Sequence, residues 1–170
     1  MGINCFINRK LEALYNGSPI RLYAKDCRLV ILSDMHLGNG GRADEFKRNS
    51  SLVLSALEQH YLPAGYTLVL NGDIEELQKF SFKNIRACWG EFYRILEKYD
   101  FEERLFRLAG NHDHTIKNHN SSVLPGLRLF IGDIPLFILH GHQASGFRDI
   151  FNTWVGFVLK WIAAPLGLKN

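Results

Sequence analysis

Apolar runs alternate with amphipathic stretches along most of the chain. Runs of aliphatic and β-branched residues fill 27–34, 66–73 and 104–113, and each predicts a strand. Helical spacing of apolar residues predicts helices over 44–60 and 84–99, and a shorter amphipathic piece precedes a turn at 16–19. Residues 127–142 predict two further strands around a hairpin turn at Gly132-Asp133. Strands that alternate with helices predict an α/β fold, in which crossover helices cover a sheet.

Polar, coordinating residues follow every main apolar run, in the segments SDMH, NGD, GNHDH and LHGH. In sheets with crossover helices, functional groups gather at the carboxyl ends of the strands. Taken singly, each His or Asp has a plain structural explanation as a satisfied core histidine or a helix cap. Together, carboxylate, imidazole and amide groups without a thiolate suit manganese, iron, zinc, cobalt, nickel or magnesium. The candidate residues are Asp34, His36, Asp73, Asn111, His112, Asp113, His140 and His142.

Composition narrows the class of protein. A length of 170 residues predicts a single domain, and 46% hydrophobic with 22% charged residues is typical of a soluble globular protein. A net charge of +3 is too small for a concentrated basic face, which counts against a nucleic-acid partner. Cys5, Cys27 and Cys88 are odd in number and outside any CxxC pattern, and no secretory signal opens the chain. We therefore predict reduced thiols and a cytoplasmic protein.

The order of these motifs carries a resemblance to a known family. Between Leu29 and His142 the chain contains, in this order, the motifs D-x-H, G-D and G-N-H-D and a His on a predicted strand. This series resembles the calcineurin-like metallophosphoesterase superfamily. The segment SDMHLGNGGRADEF is also similar to the branch that includes UDP-2,3-diacylglucosamine pyrophosphohydrolases. The resemblance implies an α-β-β-α sandwich of two mixed sheets flanked by helices. One domain over 1–170, as the N-terminal portion of a longer enzyme, is the expected organisation.

Metal ligands follow from the resemblance residue by residue. It implies two divalent ions, with manganese favoured and iron, zinc, nickel, cobalt or magnesium as alternatives. Asp34 and His36 would bind the first ion, Asn111 and His140 the second, and Asp73 would bridge both. A bridging carboxylate suits this position because it serves two cations and offsets their mutual repulsion.

Catalytic and substrate-binding roles follow in the same way. The resemblance implies that His112 protonates the leaving group while Asp113 holds its ring, and imidazole suits this role because its pKa lies near working pH. Arg42, after a glycine-rich turn, is a candidate for meeting phosphate charge, with a solvated loop arginine as the plain alternative. His142 is a candidate substrate contact. We interpret His114 and His119 as loop residues rather than ligands.

One block of the family pattern is incomplete in this chain. The family ends on G-H-x-H, whereas residues 141–144 read GHQA and lack the second His. In one interpretation His140 is the earlier ligand, and the true block lies beyond Asn170 or is supplied by another chain. In the other, His142 belongs to a degenerate final block and one metal site is impaired. We favour the first, because His140 directly ends a predicted strand.

Residues 147–168 form an apolar segment with no single hydrophobic stripe, and Lys160 and Pro165 interrupt it. It is too short and too interrupted for a membrane span, and we expect an apolar helical insertion or cap. Burial by a missing part of the fold or a partner chain is the favoured interpretation. Peripheral contact with the inner membrane surface is the alternative, since its paired tryptophans suit an interface.

The resulting hypothesis is a hydrolase, a binuclear metal-dependent phosphoesterase in which a metal-bridging hydroxide attacks phosphorus in line. The substrate would be a phosphomonoester, a diester, or a pyrophosphate of a nucleotide-sugar or lipid precursor. The alternative is a catalytically impaired binding or scaffold relative with the same fold, which the incomplete last block favours.

Overall fold

The computed structural model describes residues 3–119 and 122–144 of the chain. The α-helices are α1 (Ile3–Gly17), α2 (Ser50–Ser55), α3 (Phe82–Cys88) and α4 (Gly90–Phe101). The strands are β1 (Ile20–Tyr23), β2 (Leu29–Leu32), β3 (Thr67–Asn71), β4 (Leu105–Leu108), β5 (Val123–Leu124), β6 (Leu127–Ile131) and β7 (Ile134–Ile138). A π-helical stretch, Ala56–Tyr61, continues α2, and short 3-10 helices cover Phe46–Arg48, His114–Asn118 and His142–Ala144.

The strands form two sheets. One has the order β2-β3-β4-β5, and its described strands are all parallel. The other has the order β1-β6-β7, with β1 parallel to β6 and β6 antiparallel to β7. The predicted α/β class and two-sheet arrangement are confirmed, and so is the predicted hairpin, which turns at Gly132 with a φ of 60°. Within residues 3–119 and 122–144, only the second sheet contains an antiparallel pair, whereas the resemblance implied two mixed sheets.

Successive residues of β3 explain how the layers are held together. Leu68 and Leu70 belong to the larger core cluster, which packs against α4, and Val69 between them belongs to a smaller cluster with Leu127 and Leu129 of the second sheet. This alternation follows from the two-residue period of a strand, which sends neighbouring side chains to opposite faces. All three side chains are fully buried, and each contributes about 1.5–3 kcal/mol of burial free energy.

The helices differ in detail from the predicted ones. The helix expected over 44–60 begins only at Ser50, since the carboxylate of Asp44 accepts hydrogen bonds from the backbone N–H groups of Gly40 and Lys47 and shapes a loop there. The helix expected over 84–99 is two helices, which are separated at Trp89 by a non-helical φ of −106° and ψ of 36°.

The predicted apolar segment 147–168 lies outside the described residues. Within 3–119 and 122–144, no helix has the length and hydropathy needed to cross a membrane.

Candidate metal centre

The loops that follow β2 and β3 stay paired beyond the ends of their strands. The backbone N–H groups of Asp34, His36 and Leu37 donate hydrogen bonds to the carbonyl oxygens of Gly72 (3.2 Å), Asp73 (3.0 Å) and Ile74 (2.8 Å). This continued parallel pairing brings the first two polar motifs of the sequence side by side at one edge of the sheet.

Three of the predicted ligands have an unusual backbone conformation. Asp34, His36 and Asp73 adopt positive φ angles of 53°, 49° and 52°. Residues other than glycine rarely occupy this region, and the surrounding structure has to compensate for the strain. Such conformations concentrate at functional sites, so the backbone itself marks these positions.

Two glycines allow the site to close. A Cβ atom on Gly72 would lie 2.6 Å from Nδ1 of His140, and a Cβ on Gly110 would overlap the carboxylate of Asp73. Gly72 also has a φ of 78°. The close approach of His140 and of the Gly110 backbone therefore depends on the absence of a side chain at position 72.

The first group of donor atoms combines Asp34, Asp73 and His140, whose ligand atoms lie within 4.8 Å of one another. Asp73 is 3% exposed, and its Oδ1 accepts a hydrogen bond of 2.8 Å from the backbone N–H of His112. Its Oδ2 lies 3.3 Å from Nε2 of His140. Nδ1 of His140 is 2.8 Å from the carbonyl oxygen of Asn71 and donates to it, so Nε2 faces the carboxylates. The structure therefore brings three predicted ligands from three strands together.

A second group combines His36, Glu76 and His112, also within 4.8 Å of one another. Nδ1 of His112 lies 3.0 Å from both carboxylate oxygens of Glu76, and Nδ1 of His36 lies 3.4 Å from Oε2. The two imidazole rings meet edge to face, with centroids 4.7 Å apart. His36 therefore faces Glu76 and His112, although the sequence paired it with Asp34.

In the first group, the interaction between His140 and Asp73 determines the protonation state of both side chains. The hydrogen bond to Asp73 raises the pKa of His140 to about 9 against the opposing effect of burial. Burial raises the pKa of Asp73, but the hydrogen bonds from His140 and from the backbone of His112 outweigh it, and the net pKa is lowered. Asp73 is thus a carboxylate at neutral pH, as a metal ligand must be.

Glu76 is the corresponding anion of the second group. Burial raises its pKa, but the hydrogen bond with His112, the close approach of His36 and the charge of Lys79 outweigh burial and lower the pKa to about 2. Burial lowers the pKa of His36, but the interactions with Glu76 dominate and raise it. Lys79 is itself buried, with Nζ 3.5 Å from Oε2 of Glu76 and 3.5 Å from Oε1 of Glu45.

The expected partner of the His112 ring needs correction. Asp113 is fully buried, and its carboxylate accepts hydrogen bonds from the backbone N–H groups of Gly110 (2.6 Å) and Ile74 (2.9 Å). It therefore ties the loop after β4 to the loop after β3, and Glu76 is the carboxylate beside the ring. Burial and the charge of Glu75 raise the pKa of Asp113.

The remaining predicted residues lie in the segments that follow β2, β4 and β7. Asn111 is half-buried, directly after Gly110, and its carbonyl oxygen accepts a hydrogen bond of 3.0 Å from the side chain of Gln78. His142 is half-buried, with its ring centroid 5.4 Å from that of His140. Arg42 is exposed in the loop after β2. His114 and His119 are exposed, and neither belongs to a donor group of the described residues.

Sequence reasoning missed Glu76, Asn71 and Lys79. Glu76 follows Asp73 by three residues in the segment NGDIEE, and an acidic residue so close to a strand-end motif was a usable signal. Asn71 had no signal, because its role lies in its carbonyl oxygen, which accepts hydrogen bonds from both His140 and Ser33. Nothing in the sequence distinguishes Lys79 from an exposed lysine, but in the structure its side chain is buried.

The donor set fits divalent cations. It offers three carboxylates and three imidazoles, a nitrogen and oxygen mixture that borderline and hard divalent metals accept. Nδ1 of His36 is buried without a hydrogen bond of good geometry, although Glu76 lies near it. A buried imidazole nitrogen without a well-oriented partner is what a metal ligand looks like before the ion binds.

The ends of the parallel strands thus bring carboxylates and imidazoles together in an arrangement that could hold divalent metal ions, on a two-sheet α/β fold. Comparison with protein families identifies the class directly, because the model of the family "Calcineurin-like phosphoesterase" matches residues 27–164, more than half of the chain. The chain belongs to this family of hydrolases, which act on phosphoester bonds and generally bind divalent metals. Searches of curated proteins and of solved structures gave no match.

Proposed function

We propose that the protein is a binuclear phosphohydrolase, with manganese as the favoured metal. The observation that carries this proposal is the meeting of Asp34, Asp73 and His140 at one point of the sheet edge. Asp34 and His140 both lie within reach of Asp73, which is the arrangement expected when ligands of two ions share one carboxylate. His36 and Asn111 would complete the two sets, as the family resemblance implies.

Bound divalent ions would lower the pKa of water and neutralise phosphate oxygens. The chain's own residues supply the proton and the orientation. Glu76 holds Nδ1 of His112, so Nε2 is the nitrogen left to donate a proton to the leaving-group oxygen. Arg42 and His142 are proposed to contact the substrate from the adjoining loops.

The substrate class within this reaction is a further part of the proposal. Two metal ions could act on a phosphomonoester, a diester or a pyrophosphate linkage. The similarity of residues 33–46 to the UDP-2,3-diacylglucosamine pyrophosphohydrolase branch favours a pyrophosphate of a nucleotide-sugar or lipid precursor. The mild net charge of +3 counts against nucleic acid.

Substitution of the shared carboxylate tests the mechanism. We expect Asp73→Asn to abolish manganese-dependent hydrolysis of bis-p-nitrophenyl phosphate and p-nitrophenyl phosphate, since a neutral amide cannot offset two cations. Asp26→Asn, an exposed aspartate in the turn before β2, is the matched control and should hydrolyse both at the wild-type rate. Asp73→Asn that retained wild-type rates would contradict the assignment of Asp73.

The incomplete GHQA block favours one competing function, a binding or scaffold protein with the same fold. Elemental analysis of the purified protein separates the two. Two metal equivalents per chain would support the enzyme, and protein that takes up no manganese on dialysis would support the scaffold.

We also propose that residues 147–168 pack against a further part of the fold or a partner chain, with peripheral membrane contact as the alternative. Flotation of the full chain with anionic phospholipid vesicles distinguishes them, because membrane contact requires co-flotation and internal packing predicts none. The cytoplasmic location stays a prediction.

A further inference from the structure

A cavity of about 520 Å³ lies beside the first donor group, between the end of β2 and the loop that leads into α2. Asp34 forms part of its wall, so the cavity adjoins the group in which Asp34 meets Asp73 and His140. Its volume is in the range of small-molecule sites in proteins. A substrate whose reacting phosphoryl group lies at the donor groups could therefore extend into this space.

Three acidic residues line the wall. Asp34 belongs to the first donor group, and the protein itself engages Asp44 and Glu45. Asp44 accepts hydrogen bonds from the N–H groups of Gly40, Lys47 and the Trp89 indole, at 2.7, 3.2 and 3.0 Å. Glu45 lies 3.5 Å from the ammonium group of Lys79. The N–H groups stabilise the charge of Asp44, and the ammonium group of Lys79 partly offsets that of Glu45, which weakens their repulsion of an anion in the cavity.

Arg48 differs from these acidic residues because the protein does not pair its charge within the described residues. Arg48 is an exposed residue that lines the cavity, and its guanidinium has no hydrogen-bond or ion-pair partner among the described residues. The side chain of Asn49 beside it lines the same wall. An arginine without a carboxylate partner offers a fork of donors that matches phosphate oxygens.

The rest of the wall is apolar. Leu32, Met35, Phe46 and Val53 line the cavity on the side of the sheet and of α2. Such a surface accepts the uncharged part of a substrate, while the arginine accepts a second negative charge.

We propose that this cavity is a subsite for the second phosphoryl group of a diphosphate substrate, with Arg48 as the residue that binds it. The proposal rests on the proposed function and narrows its substrate class to a phosphoanhydride. In that reaction water adds to the reacting phosphorus, the bridging P–O bond breaks, and the departing phosphoryl oxygen takes the proton that His112 supplies.

Binding of a non-hydrolysable probe tests the subsite directly. Isothermal titration calorimetry would compare imidodiphosphate with inorganic phosphate on the full chain in manganese. We expect the wild type to bind imidodiphosphate at least about tenfold more tightly, because only this probe carries a second phosphoryl group for Arg48 to bind. Arg48→Gln should bring the two affinities within about twofold of each other, and Arg48→Lys should keep part of the preference.

Arg94→Gln is the matched control, since Arg94 is exposed on α4 and does not line the cavity. It removes one positive charge from the surface and should leave the preference for imidodiphosphate at the wild-type value. Arg48→Gln that kept the wild-type preference, or a wild type that bound both probes equally, would overturn the subsite.

The subsite and the proposed function fail in different ways. A chain that hydrolyses p-nitrophenyl phosphate with manganese but shows no role for Arg48 in imidodiphosphate binding would retain the function and lose the subsite. A chain that hydrolyses no phosphoester, yet loses its imidodiphosphate preference in Arg48→Gln, would retain the subsite and lose the function.

Discussion

Individual residues at this site are held by the protein before any ligand binds. Asp73 receives one hydrogen bond from a backbone N–H and one from His140, and His140 is in turn oriented by the carbonyl oxygen of Asn71. Each contact restricts a side chain to the rotamer that faces the cluster. Little side-chain entropy then remains to be lost when a cation binds.

Glu76 had no predicted role, and the structure shows its carboxylate next to the ring of His112. We expect Glu76→Gln to lower kcat by about 10- to 100-fold, because a neutral amide orients the His112 ring less well and general acid catalysis is worth about 10²- to 10⁴-fold in all. KM should change little. The measurement is steady-state kinetics with p-nitrophenyl phosphate, together with metal analysis of the variant.

The metal content decides between two roles for Glu76. Two equivalents per chain in Glu76→Gln would mean that Glu76 positions His112. Loss of one equivalent would mean instead that His36, Glu76 and His112 form a metal site of their own.

Protonation of His140 makes metal binding depend on pH. Its pKa of about 9 in the metal-free protein means that the ring is charged at pH 7 and must lose its proton to become a ligand. Manganese affinity should therefore rise by about tenfold per pH unit from pH 7 and level off above about pH 9. Titration calorimetry at several pH values measures this slope, and an affinity that stayed constant between pH 7 and 8.5 would exclude His140 as a ligand.

At the scale of elements, the loop between β2 and α2 depends on Asp44. This carboxylate is 5% exposed and accepts three hydrogen bonds, so we expect Asp44→Ala to lower the free energy of unfolding by about 2–3 kcal/mol. Trp89→Phe removes one of these donors, the indole N–H, which also reaches the carbonyl oxygen of Gly38. Urea unfolding should rank the variants, with Trp89→Phe the milder, and equal stability of Asp44→Ala and wild type would contradict this role.

A continuously buried strand was visible in the sequence, whereas two short strands, β1 and β5, were missed. β3 is buried over Thr67–Leu70, and such a continuous apolar run is visible in the sequence. β1 is mostly exposed and four residues long, and β5 has only two residues. Their pairing with β6 and β4 comes from strands distant in the chain, so local pattern could not indicate it.

Across the whole molecule, the donor groups join strands that are far apart in sequence. Asp34 follows β2, Asp73 follows β3, and His140 follows β7 of the other sheet. A bound ion would therefore connect both sheets and stabilise the folded state over the unfolded chain.

Manganese should consequently raise the melting temperature. Free manganese at about 100 times its Kd stabilises a folded protein by about 2.7 kcal/mol, which for a protein of this size is roughly 5–10 °C. Differential scanning calorimetry of the chelator-treated protein, with and without manganese, measures the shift. Asp73→Asn should show little shift, and a shift equal to that of the wild type would place the ion elsewhere.

Sequence alone was sufficient for the α/β class, the family and the strand-end position of the coordinating residues, because strand and helix periods and short motifs are local properties. The grouping of side chains was decided only by the tertiary structure. Glu76 reaches His112, and Asp113 turns to backbone N–H groups, because the directions of side chains depend on loops that pair through contacts distant in the chain. That Arg48 has no ion-pair partner among the described residues is likewise visible only in the tertiary structure.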